Sequence, residues 1–193
     1  MPRRPKFREP IIDAAVTLFR RNGYASTGLN DIVDMSGAPK GSLYHYFPQG
    51  KSSIAVAAVE EAGRRVAATL EDLSEQTADC AALITAHARL LARWMEDSGY
   101  RAGCPITTVL LELAPQERAV SEAGRGAYAA RIAILTRKLE ADGHGPDRAR
   151  SLALLCVSSL QGALIQSRID RSGRPITTTA RELARLLEQD RPA

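Results

Sequence analysis

The sequence predicts an all-α chain, with a three-helix N-terminal head followed by a larger helical body. Three observations carry that expectation. Of the 193 residues, 45% are hydrophobic but only 5% are aromatic, and the abundant Ala, Leu and Arg lose little rotamer freedom in a helix. Apolar side chains recur at three- and four-residue intervals along most of the chain, the period of one helical face. Breaks bearing Gly or Pro separate these runs at 36–39, 48–50 and 143–146.

In the first predicted helix, over 7–22, Ile11, Ala14, Ala15, Leu18 and Phe19 share one face. Arg20 and Arg21 suit the negative end of its dipole, and Gly23 supplies the stop. Thr27 is expected to N-cap a short helix over 28–35, with Ile32 and Val33 turned inward and Asn30, Asp31 and Asp34 in water. After a turn at 36–39, where Gly37 is free to take positive φ, a second short helix reads Lys40-Gly-Ser-Leu-Tyr-His-Tyr-Phe47.

Two short helices around a tight Gly-bearing turn describe a helix-turn-helix. Leu43 and Phe47, four apart, are expected in the core. Tyr44, His45 and Tyr46 are consecutive, so they cannot all share one buried face. At least one must point outward beside Lys40, as in a helix that reads phosphates and bases. The charge agrees. Residues 1–51 hold 8 basic and 4 acidic side chains and residues 52–193 hold 18 of each, so the whole net charge of +4 sits in the first quarter. A basic head on a neutral body suggests a polyanion partner at that end.

The body is predicted to begin with a long helix over 52–73, a connector between head and body. A helix over 79–97 carries the stripe Leu83, His87, Leu90, Leu91 and Trp94, and a loop follows at 98–103. A short apolar helix spans 104–114, and Pro115 opens the next, which runs to 141. In the helix predicted over 147–170, the run Ser151-Leu-Ala-Leu-Leu-Cys-Val-Ser-Ser-Leu160 is apolar nearly all round, so it must be covered on all sides, by the chain's own core or by a second copy. Thr179 and Glu182 have capping-box spacing for a final helix carrying Leu183, Leu186 and Leu187.

Several chemistries find no support. Gly50-Lys51-Ser52 mimics the end of a phosphate-binding loop, but position 45 is His where that motif needs Gly, and no strand precedes it. It reads better as a helix N-terminus whose free N–H groups, with Lys51, grip a phosphate. Ser158, Ser159 and His87 lack the context of a catalytic triad, so no enzyme is expected. Cys80, Cys104 and Cys156 lie far apart, as do His45, His87 and His144, and neither set has metal-ligand spacing. Reduced thiols and no cofactor or metal are the expectation. The basic start at 1–6 leads into no apolar segment, and no run approaches the roughly 20 residues of a membrane helix, so a cytoplasmic location without membrane contact is expected.

The stretch Ala25-Ser-Thr-Gly-Leu-Asn-Asp-Ile32, then Ser36-Gly-Ala-Pro-Lys-Gly-Ser-Leu-Tyr-His-Tyr-Phe47, then Lys51, closely resembles the DNA-binding signature of TetR-family transcriptional regulators. The likeness covers about residues 7–60. Three residues separate Phe47 from Lys51 where many members have two. With the run Gly103-Cys-Pro-Ile106 and Glu112, this is similar to the LmrA/YxaF-like subgroup.

The resemblance implies a ligand-responsive repressor that binds palindromic operator DNA as a homodimer and is released by a small-molecule inducer. The head is expected over 1–50, and the effector-binding and dimerisation domain over 51–193, with the last two helices at the dimer seam. The DNA-contact set is Thr27, Lys40, Gly41, Tyr44, His45, Tyr46 and Lys51. Lys40, Tyr44 and Lys51 are expected on phosphates, Gly41 and His45 near base edges. Trp94, Cys104, Thr108, Leu111, Glu112, Tyr128 and Gln161 combine apolar surface with a few polar groups, the mixture that lines an effector pocket. The effector is expected to be apolar and aromatic. Glu112, costly in an apolar setting unless partnered, would orient a cationic or hydroxylated group on it. An architectural DNA-binding protein would not need so long a neutral body.

Overall fold

The computed structural model describes residues 6–191; the basic start at 1–5 lies outside the described residues. Among those described, the order is α1 (Arg8–Asn22), α2 (Leu29–Ser36), α3 (Lys40–Tyr46), α4 (Lys51–Gln76), α5 (Cys80–Asp97), α6 (Pro105–Leu113), α7 (Arg118–Ala141), α8 (Pro146–Asp170) and α9 (Arg174–Gln189). They fall into two compact units. Among the described residues, one holds 6–64 with 104–127, the other 65–103 with 128–191. The division does not follow a cut at residue 50, because α6 and the start of α7 cluster with the N-terminal helices.

In the first unit α1 is the central strut, with α2, α3 and α6 packed against it. Its buried face holds Ile11, Ile12, Ala14, Ala15, Val16, Leu18 and Phe19, and each large side chain there contributes about 1.5–3 kcal/mol of burial. Gly23 ends the helix at φ 86° and ψ 167°, its N–H donating to the Phe19 carbonyl. That backbone region is essentially closed to other residues. Gly37 ends α2 at φ 64°, the left-handed conformation expected of it.

Thr27 is not the N-cap of α2. Gly28 holds that position, and its N–H donates to Asp31 Oδ2 at 2.7 Å. The Thr27 side chain is fully buried and its hydroxyl donates back to the Gly23 carbonyl at 2.8 Å. A short hydroxyl can bond the chain behind it as readily as the helix ahead.

In the second unit α9 packs on both α5 and α8, burying Ile176, Ala180, Leu183 and Leu187. α9 starts at Arg174, earlier than the Thr179–Glu182 spacing suggested, with Pro175 in its first turn. Proline fits there because the first N–H groups of a helix have no internal partner. Likewise α7 starts at Arg118, past Pro115. The Asp79 side chain caps α5 by accepting the Ala82 N–H, and Asp142 accepts the Cys80 N–H at 2.8 Å. Lys138 Nζ donates to the carbonyls of Ser74 and Thr77, at the negative end of α4.

No disulfide joins the three cysteines, and burial pushes the Cys156 thiol up to about 12 and the Cys80 thiol higher still. Desolvation, and then neighbouring Arg131, push the His87 imidazole down from 6.5 to about 4, so it is neutral at pH 7.

α8 resolves into two faces. Leu152, Ala153, Cys156, Val157, Leu160, Ala163 and Leu164 are buried within the unit. Leu154, Leu155, Ile165 and Ile169 are exposed on the chain's outside. By length and composition α8 is apolar enough to cross a membrane. The expectation that no run came near that length missed it because charged residues bracket 151–167. Its packing on α5 and α9 covers the inner of these two faces.

Candidate nucleic-acid interface

The recognition surface is assembled on α3. Leu43 and Phe47 are both buried, and the Arg8 guanidinium lies over the Phe47 ring at 5.8 Å. With Leu43 and Phe47 fixed inward, the intervening residues are forced out by helical geometry. Lys40, Gly41 and His45 are exposed, Tyr44 is 49% exposed, and Tyr46 is half-buried with its ring edge-on to His45 at 5.0 Å. A Cβ at Gly41 would meet nothing within 4 Å, so the fold itself makes no demand for glycine there.

Two members of the expected DNA-contact set are placed differently. Thr27 cannot reach a phosphate from its buried position: its hydroxyl is bonded to Gly23, and its N–H donates to the Tyr24 carbonyl at 3.1 Å. It holds the turn that precedes α2. Lys51, the first residue of α4, is half-buried. Its Nζ sits 4.2 Å from the centre of the Tyr24 ring and donates to the Ala25 carbonyl at 3.3 Å. Desolvation lowers its ammonium pKa, with Glu112 and Asp31 opposing that shift.

Glu112 is the residue whose surroundings depart most from expectation. It is exposed at the end of α6, and both carboxylate oxygens accept backbone N–H groups: Oε1 from Tyr24 and Oε2 from Ala25, each at 2.7 Å. The premise of a carboxylate waiting in an apolar cavity does not hold. Leu111 beside it is 75% exposed. No local signal could have paired position 112 with positions 24 and 25, because a contact across almost ninety residues leaves no trace in periodicity or capping.

The other effector candidates divide between the units. In the first, Cys104 is the half-buried N-cap of α6, and the Thr108 hydroxyl is spent on the Cys104 carbonyl at 2.9 Å. In the second, Trp94, Tyr128 and Gln161 are half-buried. The sequence reading missed Arg131, whose buried guanidinium lies 5.1 Å from the centre of the Tyr128 ring.

A buried anchor pair, an outward Lys, Tyr and His on one short helix, and a glycine turn behind them define a helix-turn-helix DNA-binding protein. Residues 11–58 match the tetR family of bacterial regulatory proteins, and residues 80–182 match the C-terminal domain of LmrA/YxaF-like transcriptional regulators. The chain is 34% identical to the HTH-type transcriptional regulator Rv0196 of Mycobacterium tuberculosis, over 96% of each chain. It is 31% identical to the HTH-type transcriptional regulator LmrA of Bacillus subtilis, over 88% of this chain and 90% of that one. In fold it is similar to the regulatory protein TetR from Rhodobacter sphaeroides, with TM-score 0.81 over 93% and 97% of the two chains at 22% identity. The chain belongs to the TetR family of transcriptional regulators, with an LmrA/YxaF-like C-terminal domain. Proteins of this family regulate transcription and are not enzymes, as expected for a chain without a catalytic constellation.

Proposed function

We propose that the protein is a cytoplasmic, ligand-responsive repressor that binds palindromic operator DNA as a homodimer and is released by a small-molecule inducer. The observation that carries the DNA reading is the outward row Lys40, Gly41, Tyr44 and His45 on a helix anchored by buried Leu43 and Phe47. Lys40 and Tyr44 serve phosphates, His45 faces base edges, and Gly41 leaves room for the groove wall to approach closely. Tyr46 flanks this row, and Lys51, its ammonium bonded to the Ala25 carbonyl, braces the head from the start of α4.

Dimerisation is supported by the outer face of α8. Leu155, Ser158, Gly162, Ile165 and Ile169 follow three- and four-residue spacing and form one stripe. Large apolar side chains on that stripe are exposed on the single chain, which is what a self-complementary two-fold contact would cover. α9 contributes less to such a seam, since its outer positions Arg181 and Arg185 are charged and exposed.

The effector reading rests on Trp94, Tyr128 and Gln161 in the second unit, an aromatic surface with polar edges. None of these three residues is a carboxylate, so the appeal to a cation that Glu112 carried falls away. The buried Arg131 beside Tyr128 instead favours a planar apolar molecule carrying a hydrogen-bond acceptor.

Lys40→Ala tests the DNA reading. Operator affinity should fall steeply with salt in the wild type, and the variant should bind more weakly with a slope flatter by about one unit, as for one lost phosphate contact. Anisotropy titrations over a salt series measure both. An unchanged slope and affinity would take α3 off the phosphates.

A further inference from the structure

We propose that Glu112, although carried on α6 and not a DNA contact, is a positioning residue for operator recognition, because its carboxylate clasps the turn that sets the reading head. The turn begins at Gly23, where α1 has ended and α2 has not begun, so the N–H groups of Tyr24 and Ala25 have no helix to bond to. Both donate to Glu112, at 2.7 Å. Two successive backbone amides converging on one carboxylate form a small anion nest, and short charge-assisted bonds of this kind are stronger than neutral ones. Gly23 is part of the same arrangement, since a Cβ there would lie 2.6 Å from Glu112 Oε1.

The clasped turn is also the junction of the head. The Tyr24 carbonyl accepts the Thr27 N–H just before α2, and the Ala25 carbonyl accepts Lys51 Nζ from the start of α4. The Tyr24 ring lies under the same ammonium. A second tie, from the Ser52 hydroxyl to Glu117 at 3.3 Å, joins the start of α4 to the segment just after α6. The helices on either side of α3 in the chain therefore take their starting points from a turn whose amides are held by α6. Freeing those amides would loosen α2, Lys51 and, with them, the pitch of α3.

The sign of the effect separates this from ordinary electrostatics. Removing a negative charge from a surface that meets phosphates should strengthen DNA binding. Loss of the clasp should weaken it. In Glu112→Gln the side chain keeps its shape, but its NH2 group faces a backbone N–H, so one of the two bonds is lost.

The test uses the full-length protein and a duplex bearing the site it selects in vitro. Glu112→Gln should bind that duplex about tenfold or more weakly, with dimerisation and melting temperature close to wild type. The backbone amides of Tyr24 and Ala25 should exchange with solvent faster. In Glu112→Ala, added formate should restore part of the affinity relative to chloride at equal ionic strength, because it can occupy the vacated nest. Wild-type or tighter binding by Glu112→Gln would overturn the proposal. So would a loss of affinity that only tracks unfolding and does not respond to formate.

Discussion

Leu155→Arg should turn the protein into a folded monomer that no longer holds its operator. Leu155 is 43% exposed on the single chain, so an arginine there stays solvated in the monomer and costs the fold little. In a two-fold seam along α8 the same arginine would be buried twice without a counter-charge, a penalty of several kcal/mol. Sedimentation should show the monomer, circular dichroism a native helix content, and anisotropy little specific binding. Leu187→Arg should behave differently. Leu187 is only 4% exposed and faces its own chain's core, so the charge should unfold the second unit instead of merely splitting a dimer. A Leu155→Arg protein that remains dimeric, or a wild type that sediments as a monomer at micromolar concentration, would remove α8 from the seam.

Gly23→Ala should be the most damaging glycine substitution in the head. Its φ of 86° and ψ of 167° lie where a side chain costs about 1–3 kcal/mol. The new methyl would also stand 2.6 Å from Glu112 Oε1 and force the carboxylate off its two amides. Gly37→Ala is the internal control, with a positive φ of 64° but nothing within 4 Å of the added carbon. It should cost about 1 kcal/mol from conformation alone. Melting curves should rank Gly23→Ala well below Gly37→Ala, and operator affinity should follow. Equal losses in the two variants would mean that Glu112 yields to the methyl freely.

The head was legible because its signals are local. Ile11 to Phe19 mark one face of α1, Gly23 and Gly37 mark stops, and three consecutive rings at 44–46 cannot all be buried. Local signals also misled. Thr27 and Thr179 both stand where a cap could be, yet Thr27 bonds backward to Gly23 and Thr179 lies inside α9. For α9 the decisive signals were the left-handed Arg171 ending α8 and Pro175 in the new first turn. On α8 the inner and outer faces are both apolar, so composition alone could not divide them; only packing against α5 and α9 does. Glu112 lay beyond any local rule. An acidic residue near an apolar helix end suggests a ligand partner, while its true partners are two amides far back in the chain.

Sequence-specific operator binding by a symmetric dimer should be visible in selection from a random duplex library in vitro. A two-fold symmetric site should be enriched, its half-sites about one helical turn or a multiple apart. Footprinting of that site should protect both halves together, and Lys40→Ala should weaken both equally. Selection that enriches no sequence, or a single asymmetric element bound by one chain, would contradict it.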